Sequence, residues 1–208
     1  MTIEKRGRIV GLTGPTGAGK SEAAHLLSEA GIPVVDADVL AREVTAKGHP
    51  CLHELAEAFS PAVLNEDGTL NRAALAAAAF ASKEATARLN GITHPHIFRL
   101  AEARFAALWQ EGVTLAAVDA PLLFESGMDT MCDRTVAVLA PAAVRQARIC
   151  ERDGITSEQA ALRMHAQPDE AFYRERADEV LYNDGDLAAF RRAVGAWIAH
   201  LQGGRYGE

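Results

Sequence analysis

The residues with the clearest chemical potential form a glycine-rich loop near the start of the chain. The loop has a glycine, four intervening residues, a second glycine, a lysine and a hydroxyl residue. Glycines let backbone N–H groups curl around a phosphate, the lysine adds positive charge at the β- and γ-phosphates, and the hydroxyl offers an oxygen to Mg²⁺. The pattern therefore predicts a nucleoside-triphosphate site made of Gly14, Pro15, Thr16, Gly17, Ala18, Gly19, Lys20 and Ser21.

Two aspartates could supply the carboxylate that accepts a proton in phosphoryl transfer. Asp36 and Asp38 follow a short apolar run, and ligands of open α/β sheets bind beyond the C-terminal ends of the strands. A carboxylate there can face the phosphate loop, accept the proton of an attacking hydroxyl and orient that hydroxyl in line with the γ-phosphate. One of the two can instead cap the following helix. The sequence leaves a capping or surface role open for either aspartate.

Three arginines later in the chain have helical spacing. Arg145, Arg148 and Arg152 would share one face of a helix. Guanidinium groups can stabilise charge on a transferring phosphoryl group, and a mobile lid that carries them would exclude water. The alternative is a solvated basic face that Glu151 and Asp153 balance.

The elements that must position these groups indicate an α/β fold. Short apolar runs predict buried parallel strands, and helical periodicity or high helix propensity predicts helices. The opening order of strand, helix and strand is typical of a doubly wound domain. The predicted strands are 8–12, 32–35, 113–118, 135–139 and 179–182, and the predicted helices include 20–30, 73–81, 95–110, 142–165 and 187–201.

The block between residues 39 and 112 shows helical stretches and no convincing strand, so it predicts a helical insertion. We therefore predict a five-stranded parallel sheet flanked by helices, with an inserted helical subdomain and a helical lid. The predicted nucleotide-binding core comprises residues 1–38, 113–141 and 168–208, the insertion 39–112 and the lid 142–167.

The overall composition limits the kinds of molecule that the protein is expected to bind. The net charge of -7 over 208 residues argues against general binding to nucleic acid or to anionic membranes. The three cysteines fit neither a disulfide framework nor a zinc site, and no signal peptide or long apolar segment is evident. We expect a cytoplasmic protein that is a monomer or a weak homo-oligomer, without nucleic-acid or membrane partners.

Together these residues resemble the dephospho-CoA kinase family along nearly the whole chain. The phosphate loop is shared by many families, but the ordered set of motifs is much more specific. Those motifs are Ile9 to Gly14 before the loop, Val35 to Asp38, Ala41-Arg42, Asp67 to Arg72, Leu89-Asn90, His94-Pro95, Pro121 to Glu125, Gln146, Arg148, Arg152-Asp153, Gln167, Ala177-Asp178 and Asn183.

The resemblance implies that ATP phosphorylates the ribose 3′-hydroxyl of dephospho-CoA, the last step of coenzyme A synthesis. It implies catalytic roles for Asp38 as base, Lys20 and Arg148, with Arg152 and Asn183 as further ATP contacts. Ser21 would bind Mg²⁺, and the resemblance implies that the helical insertion 39–112 is a substrate-binding subdomain for CoA. The predicted contacts of the acceptor are Asp38, Arg72, His94, Leu122 and Glu125.

Two other functions share the phosphate loop. A nucleoside or shikimate-type kinase would share the fold, but the 39–112 insertion and the 121–125 segment argue against it. A GTPase-like switch usually carries an N-K-x-D motif, which the sequence lacks.

The loop departs from the family pattern at three positions. Pro15 and Ala18 replace a glycine and a serine, and Pro15 has no N–H. Glu22 replaces the usual threonine after Ser21, and a carboxylate there would repel the α-phosphate unless it turned away. Asp119, at the end of a predicted strand, is a candidate for water-mediated magnesium binding or for a strand-end cap.

Overall fold

A computed structural model describes residues 7–203 of the chain; positions 1–6 and 204–208 of the predicted core lie outside this range. Within it, five strands form one sheet in the order β2-β3-β1-β4-β5. The pairs β1–β3, β1–β4 and β4–β5 are parallel, so the predicted α/β class is confirmed. The strands are β1 (Arg8–Thr13), β2 (Val34–Asp36), β3 (Leu115–Asp119), β4 (Arg134–Leu139) and β5 (Glu179–Tyr182).

Helices cover most of the remaining described residues. They are α1 (Lys20–Glu29), α2 (Ala37–Val44), α3 (Pro50–Ala58), α4 (Arg72–Ala79), α5 (Lys83–Gln110), α6 (Ala142–Asp153), α7 (Ser157–His165), α8 (Glu170–Arg176) and α9 (Leu187–Gln202). Within residues 7–203, none of the helices has the length and apolar content needed to cross a bilayer. The described residues divide into two compact units, one of residues 7–35 with 112–203 and the other of residues 36–111.

The first unit is built around the sheet. Every residue of β3 is buried, as expected for a strand covered on both faces. One face packs against α1 and α9 through a core that includes Leu27, Val138, Phe190 and Trp197. The other face packs Leu139 against Tyr173 of α8. The core holds the C-terminal ends of β1 and β3 in fixed register.

The second unit is helical. Its core contains Val44, Cys51, Leu55, Val63 and Leu75, and the long helix α5 packs against α2, α3 and α4. The predicted helix 95–110 is too short, because α5 begins at Lys83 and continues through Pro95. Proline costs a helix one backbone hydrogen bond, and packing along three neighbouring helices offsets that loss.

The single helix predicted for residues 142–165 is also wrong in detail. It divides into α6 and α7, because Gly154 ends α6 in the left-handed region with φ 65°. Thr156 and Gln159 then form a capping box that starts α7. The short helix α8 was not predicted from the sequence.

Asp178 fastens the start of β5 to β4. Its Oδ2 atom accepts hydrogen bonds from the backbone N–H of Thr135 at 2.7 Å and from the Thr135 hydroxyl at 2.9 Å. We expect Asp178→Ala to lower the free energy of unfolding by about 1–2 kcal/mol, because both donors lose a charged acceptor. Urea unfolding measures the change. Asp184→Ala, at an exposed position beyond the other end of β5, is the matched control, and equal losses in the two variants would contradict the assignment.

Candidate active site

The phosphate loop joins the end of β1 at Thr13 to the start of α1 at Lys20. Two of its glycines leave no room for a side chain, one against a backbone carbonyl and the other against a side-chain amide. A Cβ atom at Gly14 would lie 2.2 Å from the Val138 carbonyl oxygen, and one at Gly19 would lie 2.2 Å from the amide nitrogen of Asn183. Both glycines also have positive φ values, 144° and 106°. Tight packing on β4 and on Asn183 therefore explains the glycines of the motif.

Arginines of α6 bind the carbonyl oxygens of the loop. Arg145 Nε donates to the Thr16 carbonyl at 2.9 Å, and Arg148 Nη1 lies 3.4 Å from both the Gly17 and the Ala18 carbonyls. The Arg145 side chain is buried, and burial lowers the pKa of its guanidinium. In a planar trans peptide the N–H points away from the C=O. Holding these carbonyls on the α6 side therefore turns the following amides toward the opposite side.

Asn183 completes this set of contacts from the end of β5. It is 4% exposed, its Nδ2 donates to the Ala18 carbonyl at 2.8 Å, and its Oδ1 accepts from Arg148 Nη2 at 3.1 Å. The resemblance implied a position near the adenine. In the structure both ends of the Asn183 amide are engaged by the phosphate loop and by Arg148.

Lys20 forms an ion pair with Asp119 at the C-terminal end of β3. Both side chains are largely buried, so each charge compensates the other where water is scarce. Ser21 lies beside Lys20 in the first turn of α1 and is exposed. The pair of a hydroxyl and a carboxylate fits Mg²⁺, which takes few protein ligands and keeps water and phosphate oxygens as the others.

Glu22 is turned away from the loop. Its Oε1 atom accepts from Arg191 Nε of α9 at 2.6 Å. The unfavourable interaction expected between this carboxylate and an α-phosphate is thereby reduced, because the charge is paired on another helix.

Arg152 does not join Arg145 and Arg148 in their contacts with the loop. It lies in the last turn of α6 and binds Asp153 through two hydrogen bonds of 2.7 and 2.9 Å. These bonds, with a further contribution from Arg163, lower the pKa of the Asp153 carboxyl to about 2. The alternative of a locally balanced basic face therefore describes Arg152, whereas Arg145 and Arg148 bind the phosphate loop.

Leu122 and Glu125 lie in the turn after β3. Leu122 is 54% exposed, whereas its neighbour Leu123 is fully buried. The Glu125 side chain reaches solvent, yet desolvation raises the pKa of its carboxyl above the ordinary value. An acceptor contact at Leu122 or Glu125 stays a prediction.

The unit of residues 36–111 contains a cavity of about 360 Å³. Asp38, Arg42 and Arg72 line it and are exposed. Its apolar lining comes from Leu70, Leu75, Leu89 and Ile97. An acidic and basic rim over an apolar floor suits a ligand that has charged groups at one end and an uncharged arm at the other.

Asp36 and Asp38 have different roles in this unit. The Asp36 carboxylate caps α2 by accepting from the backbone N–H groups of Asp38 at 2.8 Å and Val39 at 3.1 Å. The capping alternative therefore describes Asp36. The Asp38 carboxylate belongs to the cavity lining.

His94 is not among the residues that line the cavity, although Thr93 and Ile97 of the same helix are. It is half-buried, and burial lowers the pKa of its imidazole. An acceptor contact at His94 stays a prediction.

Sequence reasoning missed two contacts that hold the loop. It gave Gln167 no role, yet the Gln167 Oε1 atom accepts from the Thr16 backbone N–H at 2.8 Å. It also missed the pairing of Asp119 with Lys20. The position of Asp119 at a strand end was a signal for the second contact, and the spacing of residues carries none for the first.

Comparisons with known proteins show which family the sequence is similar to. A sequence model of the dephospho-CoA kinase family matches residues 8–189. A dephospho-CoA kinase from Corynebacterium glutamicum is 42% identical over 192 residues, which are 92% of this chain and 96% of that protein. One from Syntrophotalea carbinolica is 43% identical over 199 residues, covering 96% and 94% of the two chains.

Solved structures are similar as well. A crystal structure from Thermus thermophilus has a TM-score of 0.81 and 36% identity, covering 95% of this chain and 99% of its own. A dephospho-CoA kinase from Campylobacter jejuni has a TM-score of 0.72 and 25% identity, covering 95% and 98%. A shikimate kinase from Bacteroides thetaiotaomicron, with a TM-score of 0.54 and 15% identity over 94% and 98% of the chains, shares the fold.

The buried amide of Asn183 gives a test of how the loop is held. We expect Asn183→Ala to lower the free energy of unfolding by about 1–3 kcal/mol, because the Ala18 carbonyl and Arg148 both lose a buried partner. ATP affinity should fall in the same variant, since the Ala18–Gly19 peptide is no longer fixed. Denaturant unfolding and calorimetric titration with ATP measure the two effects. Wild-type values for both would show that Asn183 does not support the loop.

Proposed function

The chain belongs to the dephospho-CoA kinase family, and from this premise we propose how its residues transfer the γ-phosphate of ATP to the ribose 3′-hydroxyl of dephospho-CoA. The activity follows from the family match along residues 8–189. The observation that supports the assignment of the base is the helix cap at Asp36. This cap leaves the Asp38 carboxylate available to the cavity that it lines.

ATP binds through its phosphates to the loop between β1 and α1. The N-terminus of α1 presents unpaired N–H groups and the positive end of the helix dipole. Lys20 supplies a full positive charge to the β- and γ-phosphates. When ATP binds, the Lys20 ammonium group either leaves the Asp119 carboxylate for the phosphate oxygens or contacts both groups. Arg148 stabilises charge that develops on the transferring phosphoryl group.

A divalent cation, which we take to be Mg²⁺, accompanies ATP. The Ser21 hydroxyl would hold it directly, and the Asp119 carboxylate would hold it through water. Such an ion neutralises negative charge on the β- and γ-phosphates.

The cavity of residues 36–111 is the proposed site of dephospho-CoA. Arg42 and Arg72 on the rim suit the two phosphates of this substrate, and Leu70, Leu75 and Leu89 suit its uncharged pantetheine arm. Within the proposed insertion 39–112, His94 remains a further candidate contact. In the proposed core, Leu122 and Glu125 remain candidates for the acceptor and Asn183 for ATP, and in the proposed lid Arg152 remains a candidate for ATP.

The reaction needs one proton acceptor. Asp38 takes the proton from the 3′-hydroxyl as the hydroxyl oxygen attacks the γ-phosphorus. The bond between the γ-phosphorus and its bridging oxygen breaks, and ADP leaves with the electron pair of that bond. The proposed lid of residues 142–167, whose Arg145 and Arg148 already bind the phosphate loop, would exclude water, which would otherwise compete with the hydroxyl.

Compartment and assembly are part of the proposal. Cys51 and Cys150 are thiols rather than disulfide partners, which supports a reducing cytoplasm. We propose a monomer or weak homo-oligomer that acts on small molecules.

Acceptor profiling tests the function. With ATP and Mg²⁺, we expect ADP formation to depend on dephospho-CoA and to yield coenzyme A, whereas adenosine, other nucleosides and shikimate give only background hydrolysis. A coupled ADP assay with chromatography of the product measures this. Turnover of a nucleoside or shikimate without turnover of dephospho-CoA would contradict the proposed acceptor.

Asp38→Asn tests the base. We expect kcat to fall by ~10²–10⁴-fold because the amide cannot accept the proton, while the Kd for ATP stays near the wild-type value. Asp36→Asn is the matched control: asparagine caps helices as well as aspartate does, so its kcat should stay within about threefold of wild type. A similar kcat for Asp38→Asn and wild type would remove Asp38 from the base role.

A further inference from the structure

Gln167 lies between α7 and α8 and reaches back to the phosphate loop. Its Oε1 atom accepts from the Thr16 backbone N–H at 2.8 Å. The Thr16 carbonyl accepts a second hydrogen bond, from Arg145 Nε at 2.9 Å. Both hydrogen-bonding groups of the Thr16 backbone are therefore taken by side chains from outside the loop, and one of those side chains has no role in the function described so far.

The bond from Gln167 determines the orientation of one peptide plane. The Pro15–Thr16 peptide directs its N–H to Gln167, while its carbonyl accepts from the Ala18 N–H at 3.1 Å within the loop. In the next peptide the carbonyl of Thr16 is held by Arg145. Because C=O and N–H of a trans peptide point in opposite directions, each of these outside contacts fixes one of two consecutive planes.

The following residue shows how closely α6 supports this part of the loop. Gly17 has a φ of 78°, and a Cβ atom there would lie 2.8 Å from the Arg145 carbonyl oxygen. Movement of the Thr16 backbone toward α6 is blocked by this packing. Movement away from α6 would break the bond between the Thr16 carbonyl and Arg145.

We propose that Gln167 is a positioning residue for ATP: it fixes the Pro15–Thr16 peptide, whose carbonyl in turn accepts from Ala18, so that the amides of Gly17 and Gly19 form the phosphate cradle. Pro15 has no N–H, and the N–H of Thr16 is bound to Gln167, so the entrance of the loop donates nothing to the nucleotide. This inference rests on the proposed function only in assigning the loop to ATP.

Gln167→Met tests the proposal because methionine keeps the length of the side chain and removes the acceptor. We expect the Kd for Mg·ATP, measured without any acceptor substrate, to rise by about 2- to 10-fold, the equivalent of one net hydrogen bond. The KM for ATP should rise by the same factor, and the KM for dephospho-CoA should not change. Hydrogen exchange of the Thr16 amide, followed by nuclear magnetic resonance, should become at least about tenfold faster.

Gln202→Met is the matched control. Gln202 also bonds the backbone, its Nε2 donating to the Ala30 carbonyl at 3.1 Å, but it lies at the end of α9. We expect its Kd for ATP and its Thr16 exchange to equal the wild-type values. If Gln167→Met lowers the melting temperature no more than this control while ATP affinity falls, positioning rather than general stability is the role of Gln167.

Two results would overturn the proposal. One is an unchanged Kd for ATP in folded Gln167→Met. The other is found in the wild-type protein and does not depend on any variant folding: a Thr16 amide that exchanges as fast as an exposed loop amide. Neither measurement uses dephospho-CoA, so a failure of the proposed acceptor would leave this test intact, and a failure here would leave the acceptor assignment intact.

Discussion

The orientation of a few peptide planes between β1 and α1 is the constraint on which the nucleotide site depends. A loop that contains Gly14, Gly17 and Gly19 has many accessible backbone conformations, so its own sequence cannot hold one of them. The structure supplies the missing order from outside. Arg145, Arg148 and Asn183 bind carbonyls of the loop, and Gln167 binds the Thr16 amide. The conformational entropy lost by the loop is offset by contacts with segments remote in sequence.

In the second unit, two neighbouring aspartates have different roles. Two aspartates stand two residues apart, and the structure separates their tasks: Asp36 satisfies the first amides of α2, and Asp38 lines the cavity. The Asp36 carboxylate is held at the start of α2 by its two backbone donors, so Asp38 is the one of the two that lines the cavity. The helix cap therefore makes a carboxylate at the next-but-one position available for chemistry.

The sequence predicted those features whose signal is local. The strands, the phosphate loop and the α/β class follow from short apolar runs and a motif of fixed spacing. Contacts between distant segments have no such signal: Thr16 and Gln167 are 151 residues apart, and Glu22 and Arg191 are 169 apart. The extent of α5 was underestimated for a related reason, since the packing that compensates for Pro95 comes from three other helices. Asp36 and Asp38 could not be told apart from sequence because either can cap a helix.

The departures of the loop from its family pattern also have a physical explanation. Pro15 has no amide N–H. At this end of the loop the next amide, that of Thr16, binds Gln167 instead of phosphate. Ala18 is fully buried and packs in the sheet core, so its methyl group gains apolar contact where a serine hydroxyl would need a partner. Glu22 is paired with Arg191. Each replacement has a contact with the protein, and the amides of Gly17 and Gly19, on which the proposed phosphate binding depends, are unaltered by any of them.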